Sequence, residues 1–150
     1  MKYDDMTWHT EGDFPAGISP SAAAIHIGIF TIWAWKHGLG GDSFSEFADE
    51  ISDILGKKEL PPSEISIKFC DGKLTDEDLN EEGNEFASWY YEDDKTGYGD
   101  DYKKLLAGNL PSFYHVSDDW NSYAKMENRL NEVYKKWKIK FISGVQEGGA

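Results

Sequence analysis

Cysteine is almost missing from these 150 residues. Cys70 stands alone, which excludes an internal disulfide and points to a reducing compartment. Long hydrophobic runs are missing too: the densest, from Ala22 to Trp35, is about 14 residues, short of the roughly 20 that a membrane-spanning helix needs. The opening MKYDDMTWHTEGDF is acidic and holds no apolar stretch, so it is not expected to be a secretory leader, and the expected location is cytoplasmic. Positive charge is scarce, with 15 Lys and Arg against 28 Asp and Glu, a net −13. Such a chain repels nucleic acid and anionic membranes and steers towards basic proteins or cations. No phosphate-cradling or dinucleotide glycine loop, zinc-ligand spacing or serine-hydrolase elbow occurs. No cofactor is expected, and no residue is assigned as catalytic or as a metal ligand. Internal repeats, low-complexity segments and interdomain linkers are also lacking.

What is there is aromatic: six Trp, eight Tyr and eight Phe, enough for a substantial core despite the polar average. The length fits one domain, expected over residues 1–142 with a frayed tail over 143–150. The chain is organised around SPSAAAIHIGIFTIWAWKHGLGG, residues 19–41. Ser19, Pro20 and Ser21 are helix-start residues, and Gly38, Gly40 and Gly41 supply a stop. Apolar side chains point in nearly every direction between them, so the spacing predicts a buried central helix over about 20–38. The fold class is therefore mainly α, a single-domain helical fold around that helix, with an irregular N-terminal arm and minor extended segments.

Further helices follow from periodicity and caps. Phe44, Phe47, Ile51, Ile54 and Leu55 predict one that ends at Gly56. Pro61, Pro62 and Ser63 open another through Cys70, although its Ile65, Ile67, Phe69 alternation also fits a strand. Thr75 with Asp78 has the spacing of a capping box and predicts a longer helix through Tyr90. Tyr102, Leu105 and Leu106 predict a short helix closed by Gly108, and residues 112–116 a short extended piece. Ser117 is the expected cap of a last helix, over about 117–139, packed against the central one.

Few residues invite chemistry. His26 and His37 share a helix face but lie about 16 Å apart by helix rise, too far for one metal. His9 and His115 can approach His26 only through tertiary folding. Cys70 has an acidic neighbourhood that opposes a thiolate. Asp76, Asp78 and Asn80 begin like a calcium loop, but Glu81 replaces the required glycine and Ala87 the closing glutamate. The acidic tract is the strongest feature: residues 71–101 hold 12 acidic and 2 basic residues, whereas 121–142 hold 6 basic and 2 acidic. Aromatics rimmed by one sign of charge suit a protein-binding surface. The candidate partner-binding residues are Asp76, Glu77, Glu81, Glu82, Tyr91, Glu92, Asp93, Asp94, Tyr98, Asp100 and Asp101.

The segments YDDMTWH, DFP, AAIHIGIFTIWAWKHGL, CDGKLTDEDLNEEGNEFASWYY and GDDY resemble an uncharacterised family of small acidic bacterial proteins, from Tyr3 to about Tyr134. That family carries no established chemistry, so the resemblance transfers no catalytic residue. Its size and charge are similar to those of immunity proteins. The implied function is a binding protein that neutralises a basic secreted toxin, such as a nuclease, through the acidic face. The alternative is a small hydrolase or metal-dependent enzyme using His26 with a carboxylate from Asp4, Asp5 or Asp71.

Overall fold

The structure, a computed structural model, describes residues 1–148, with side chains through Phe141. In chain order the elements are β1 (Lys2–Asp5), α1 (Met6–Thr10), α2 (Ile25–Lys36), α3 (Asp42–Glu46), α4 (Ala48–Lys57), α5 (Pro62–Cys70), β2 (Lys73–Thr75), α6 (Glu81–Tyr90), α7 (Tyr98–Tyr102) and α8 (Trp120–Gly148). Short 3₁₀ turns cover Pro20–Ala24, Asp76–Asp78 and Phe113–His115. The fold is mainly helical, as expected. None of the described helices is long and apolar enough to cross a membrane.

The expected central helix is α2 together with the 3₁₀ turn before it. Ser19 opens that turn by accepting from the Ser21 N–H. Every residue from Ile25 to Trp35 is buried, which explains the lack of a polar stripe: other elements surround this helix on all sides. Gly28 marks the tightest approach. A Cβ there would lie 2.1 Å from the Pro62 carbonyl oxygen, so α5 crosses α2 with backbone against backbone. Residues 62–70 are therefore helix, the state implied by their Pro-Pro-Ser start. On the other side Phe86 of α6 packs on Phe30 and Trp33. Trp33 also meets Tyr134 of α8 and donates its Nε1–H to Asn131 at 2.9 Å.

Several expectations need correction. The N-terminal arm is irregular only over residues 11–19: before them β1 pairs antiparallel with β2, about 70 residues later, with a bulge between Lys2 and Asp4. Asp5 then caps α1 by accepting from the Thr7 N–H and hydroxyl. No local pattern announces a pairing between such distant segments. The helix expected from Thr75 is interrupted. Thr75 and Asp78 do form a capping box, but on a single 3₁₀ turn; Leu79 then bridges to Gly40, and α6 starts afresh with Asn80 accepting from the Gly83 N–H. The helix expected to run to Gly56 divides into α3 and α4 at Phe47, and α4 ends at Lys58, whose φ is 53°. The turn over Phe113–His115 replaces an extended piece. Asp119, not Ser117, caps α8 by accepting from the Ser122 N–H. α8 also outruns the expected stop near 139 and continues to Gly148. Positions 149–150 of the expected tail lie outside the described residues.

Candidate functional site

Five segments meet at the N-terminal end of α2. β1 delivers Asp4, the last turn of α1 delivers His9, and His26 is the second residue of α2. Tyr91 follows α6, and Tyr114 sits in the 3₁₀ turn 113–115. The sheet makes this possible. Pairing Asp4 with Leu74 and bonding the Met6 N–H to the Gly72 carbonyl pin the N-terminal strand across the start of α2.

Asp4 is the hub. Its Oδ1 lies 2.7 Å from His9 Nε2, and its Oδ2 lies 2.9 Å from His26 Nε2. The Tyr91 hydroxyl donates to Oδ2 at 2.5 Å, and the Asp5 N–H donates to Oδ1 at 2.8 Å. An ionised carboxylate can only accept, so both imidazoles present Nε2–H to it. In the neutral imidazole, His9 Nδ1 then accepts from the Tyr114 hydroxyl at 2.6 Å. Burial opposes the charge on Asp4, which is 7% exposed. The hydrogen bonds from His26, His9 and Tyr91 outweigh burial and hold its carboxyl well below the usual range. Burial also pulls the His26 imidazole down, partly offset by Asp4, and so favours its neutral form. Burial and the neighbouring carboxylate of Asp4 push the Tyr91 phenol up, keeping it a donor.

The surroundings of His26 are aromatic. The rings of His9, Phe113 and Tyr102 stand edge-on to it at 4.7, 5.0 and 5.9 Å between centroids. The Tyr98 hydroxyl donates to its carbonyl at 2.6 Å. His37 and His115 stay apart from the group, bonded to the Trp33 carbonyl and to Ser112. Of the three carboxylates considered as partners of His26, Asp4 alone reaches it. Asp5 is engaged with Lys2 and Thr7, and Asp71 is exposed at the end of α5. Neither Tyr91 nor Tyr114 carried a local signal for this role.

The acidic tract splits into two populations. Asp76, Glu77, Glu81, Glu92, Asp93 and Asp94 are exposed, and Glu82 and Asp100 are half-buried. Glu82 takes up Tyr134 and Lys138, and Asp100 pairs with Lys104 at 2.8 Å. Tyr98 and Asp101 are buried and cannot serve as surface contacts. Asp101 instead accepts from the Tyr90 hydroxyl at 2.5 Å and from Arg129 Nε at 3.0 Å. Tyr91 belongs to the Asp4 group. An open cleft remains at the surface, lined by Trp89, Tyr90, Asp93, Thr96, Arg129, Val133 and Lys136. The partly buried Cys70 is held as a thiol: burial, and then the nearby Asp78, push its pKa up. The calcium-loop resemblance also dissolves, since Asp78 and Asn80 are spent on caps.

The fold and these contacts define a small helical protein with a buried aspartate–histidine network and an acidic surface. The chain belongs to a family described as a domain of unknown function, DUF7832, whose model matches residues 2–116. That range contains all five residues of the network and ends before α8. No curated protein and no solved structure matches the chain.

Proposed function

We propose that the protein acts by binding, as an immunity protein does, neutralising a basic toxin by covering the surface that meets phosphates. One observation carries this reading. Glu92, Asp93 and Asp94 stand exposed in a row beside Trp89, which is 40% exposed. Trp89 borders the cleft between the 93–96 turn and α8, and the exposed Phe141 ring lies 6.3 Å from it. Trp89 thus stands between the acidic 92–94 run and the basic Arg129 and Lys136 of α8, and an aromatic anchor beside an acidic run is an arrangement that a binding contact to a basic partner uses. The net −13 adds long-range steering towards a basic partner.

The alternative of a small hydrolase or metal-dependent enzyme has the meeting of His26 and Asp4 behind it. His26 is only 4% exposed and is walled by rings, a setting that suits a held group better than an approaching substrate.

The test uses Glu92→Lys with Asp94→Lys. Asp93 is left alone because its carboxylate holds the turn, accepting from the N–H groups of Lys95 and Thr96. The tagged protein captures its partner from the native cells, and association is followed by stopped flow at low and high salt. The expected partner is basic, its on-rate falls as salt rises, and the double substitution slows it by about tenfold or more at low salt. An on-rate and salt slope untouched by the substitution remove this face from the interface. Capture of an acidic partner overturns the reading.

A further inference from the structure

Two imidazoles and a carboxylate aim at one point where β1, α1 and α2 meet. Taking one ligand atom from each of Asp4, His9 and His26, all three lie within 4.8 Å of one another. Both histidines present Nε2, one to each oxygen of the same carboxylate, at 2.7 and 2.9 Å. A two-histidine, one-carboxylate set is a donor combination that suits Zn²⁺ and its first-row neighbours.

For Asp4 and His9, the atoms beyond the donors are also placed for an ion. Metal-binding histidines almost always engage their second ring nitrogen, and ligating carboxylates are themselves hydrogen-bonded. Here His9 Nδ1 lies 2.6 Å from the Tyr114 hydroxyl, and Asp4 accepts from the Tyr91 hydroxyl and the Asp5 N–H. Asp4 and His26 are more than nine-tenths buried, whereas the His9 side chain keeps 24% exposure. Of the three side chains, that of His9 is thus the one solvent reaches most.

We infer that Asp4, His9 and His26 bind one divalent transition-metal ion of the Zn²⁺ class through a carboxylate oxygen and the two Nε2 atoms. The proton balance is simple. Each Nε2 gives its lone pair to the ion, and the proton it directed at Asp4 is carried on Nδ1 instead. At His9 that Nδ1–H donates to the Tyr114 oxygen, whose own proton rotates away. A positive ion then replaces two N–H dipoles as the partner of the buried Asp4 charge. Glu92 and Asp94 are not among the three donors, although Glu92 directly follows Tyr91, and the assignment does not depend on the proposed toxin binding.

The full chain, stripped with chelator, is titrated with Co²⁺ and followed by visible absorption, then with Zn²⁺ in competition. The expected result is one ion per chain, a Co²⁺ spectrum displaced by Zn²⁺, and a melting temperature raised by Zn²⁺. His9→Gln is expected to weaken binding at least 100-fold. Variants of the buried Asp4 and His26 risk unfolding, so the half-buried His9 carries the test. Tyr114→Phe keeps the ring but removes the acceptor, and is expected to weaken binding about 10–100-fold while the metal-free melting temperature stays near wild type. Glu92→Lys with Asp94→Lys leaves metal binding unchanged even if it abolishes partner binding, which separates the two readings. Absence of stoichiometric binding, or equal affinity in wild type and His9→Gln, overturns the assignment.

Discussion

Trp33 shows how much rests on single side chains. It is fully buried, packs on Phe30, Phe86 and Tyr134, and satisfies its indole N–H on Asn131. Truncation removes that packing and leaves a cavity that the surrounding helices cannot close. Trp33→Ala is expected to cost about 3–5 kcal/mol, read from urea melts. A loss below about 1 kcal/mol, well under the usual range for emptying an aromatic core site, would show that the core collapses into the space. Asp4 is the opposite case, a buried charge tolerated because four donors surround it. An unpaired carboxylate there would be costly, since burial penalises the ionised form.

Among the elements, α6 depends most on its start. Asn80 accepts from the Gly83 N–H at 2.8 Å and donates to the Gly38 carbonyl at 3.0 Å, so one side chain both caps α6 and ties it to the end of α2. Asn80→Ala removes both contacts. It is expected to destabilise the protein by about 1–2 kcal/mol, within the range for losing an N-terminal cap, measured by chemical denaturation. A change of a few tenths of a kcal/mol, smaller than typical cap losses, would mean that neighbouring groups or water replace the cap. The crossing of α2 and α5 is less forgiving, because Gly28 leaves no room for a Cβ against the Pro62 carbonyl.

For the whole molecule, a net −13 is a load that compact folding concentrates. Several of the described ion pairs, such as Lys57 with Asp53 and Lys136 with Glu132, are largely exposed and contribute about 0–1 kcal/mol each. Self-repulsion should therefore dominate at low ionic strength. The melting temperature is expected to rise as salt increases from millimolar to about 0.15 M, where screening acts within roughly 8 Å. A melting temperature that falls with salt would show that the attractive pairs outweigh the repulsion.

The sequence by itself determined what local patterning controls. The charge-free, mostly apolar run from Ala22 to Trp35, too short to span a membrane, pointed to a buried helix, and the Pro61–Ser63 start favoured helix over strand for a later segment. Helix spacing also kept His26 and His37 apart. Tertiary structure decided what depends on segments distant in the chain. The β1–β2 pairing turned an apparent arm into the strand that carries Asp4 to His26. Tyr98 and Asp101, acidic-tract residues by position, went to the core because the α7 turn faces inward. The same long-range closure brought Tyr91 and Tyr114 to Asp4 and His9 from 87 and 105 residues away. Local propensities act over a few residues, and the network exists only because burying α2 brings five remote segments to one end of it.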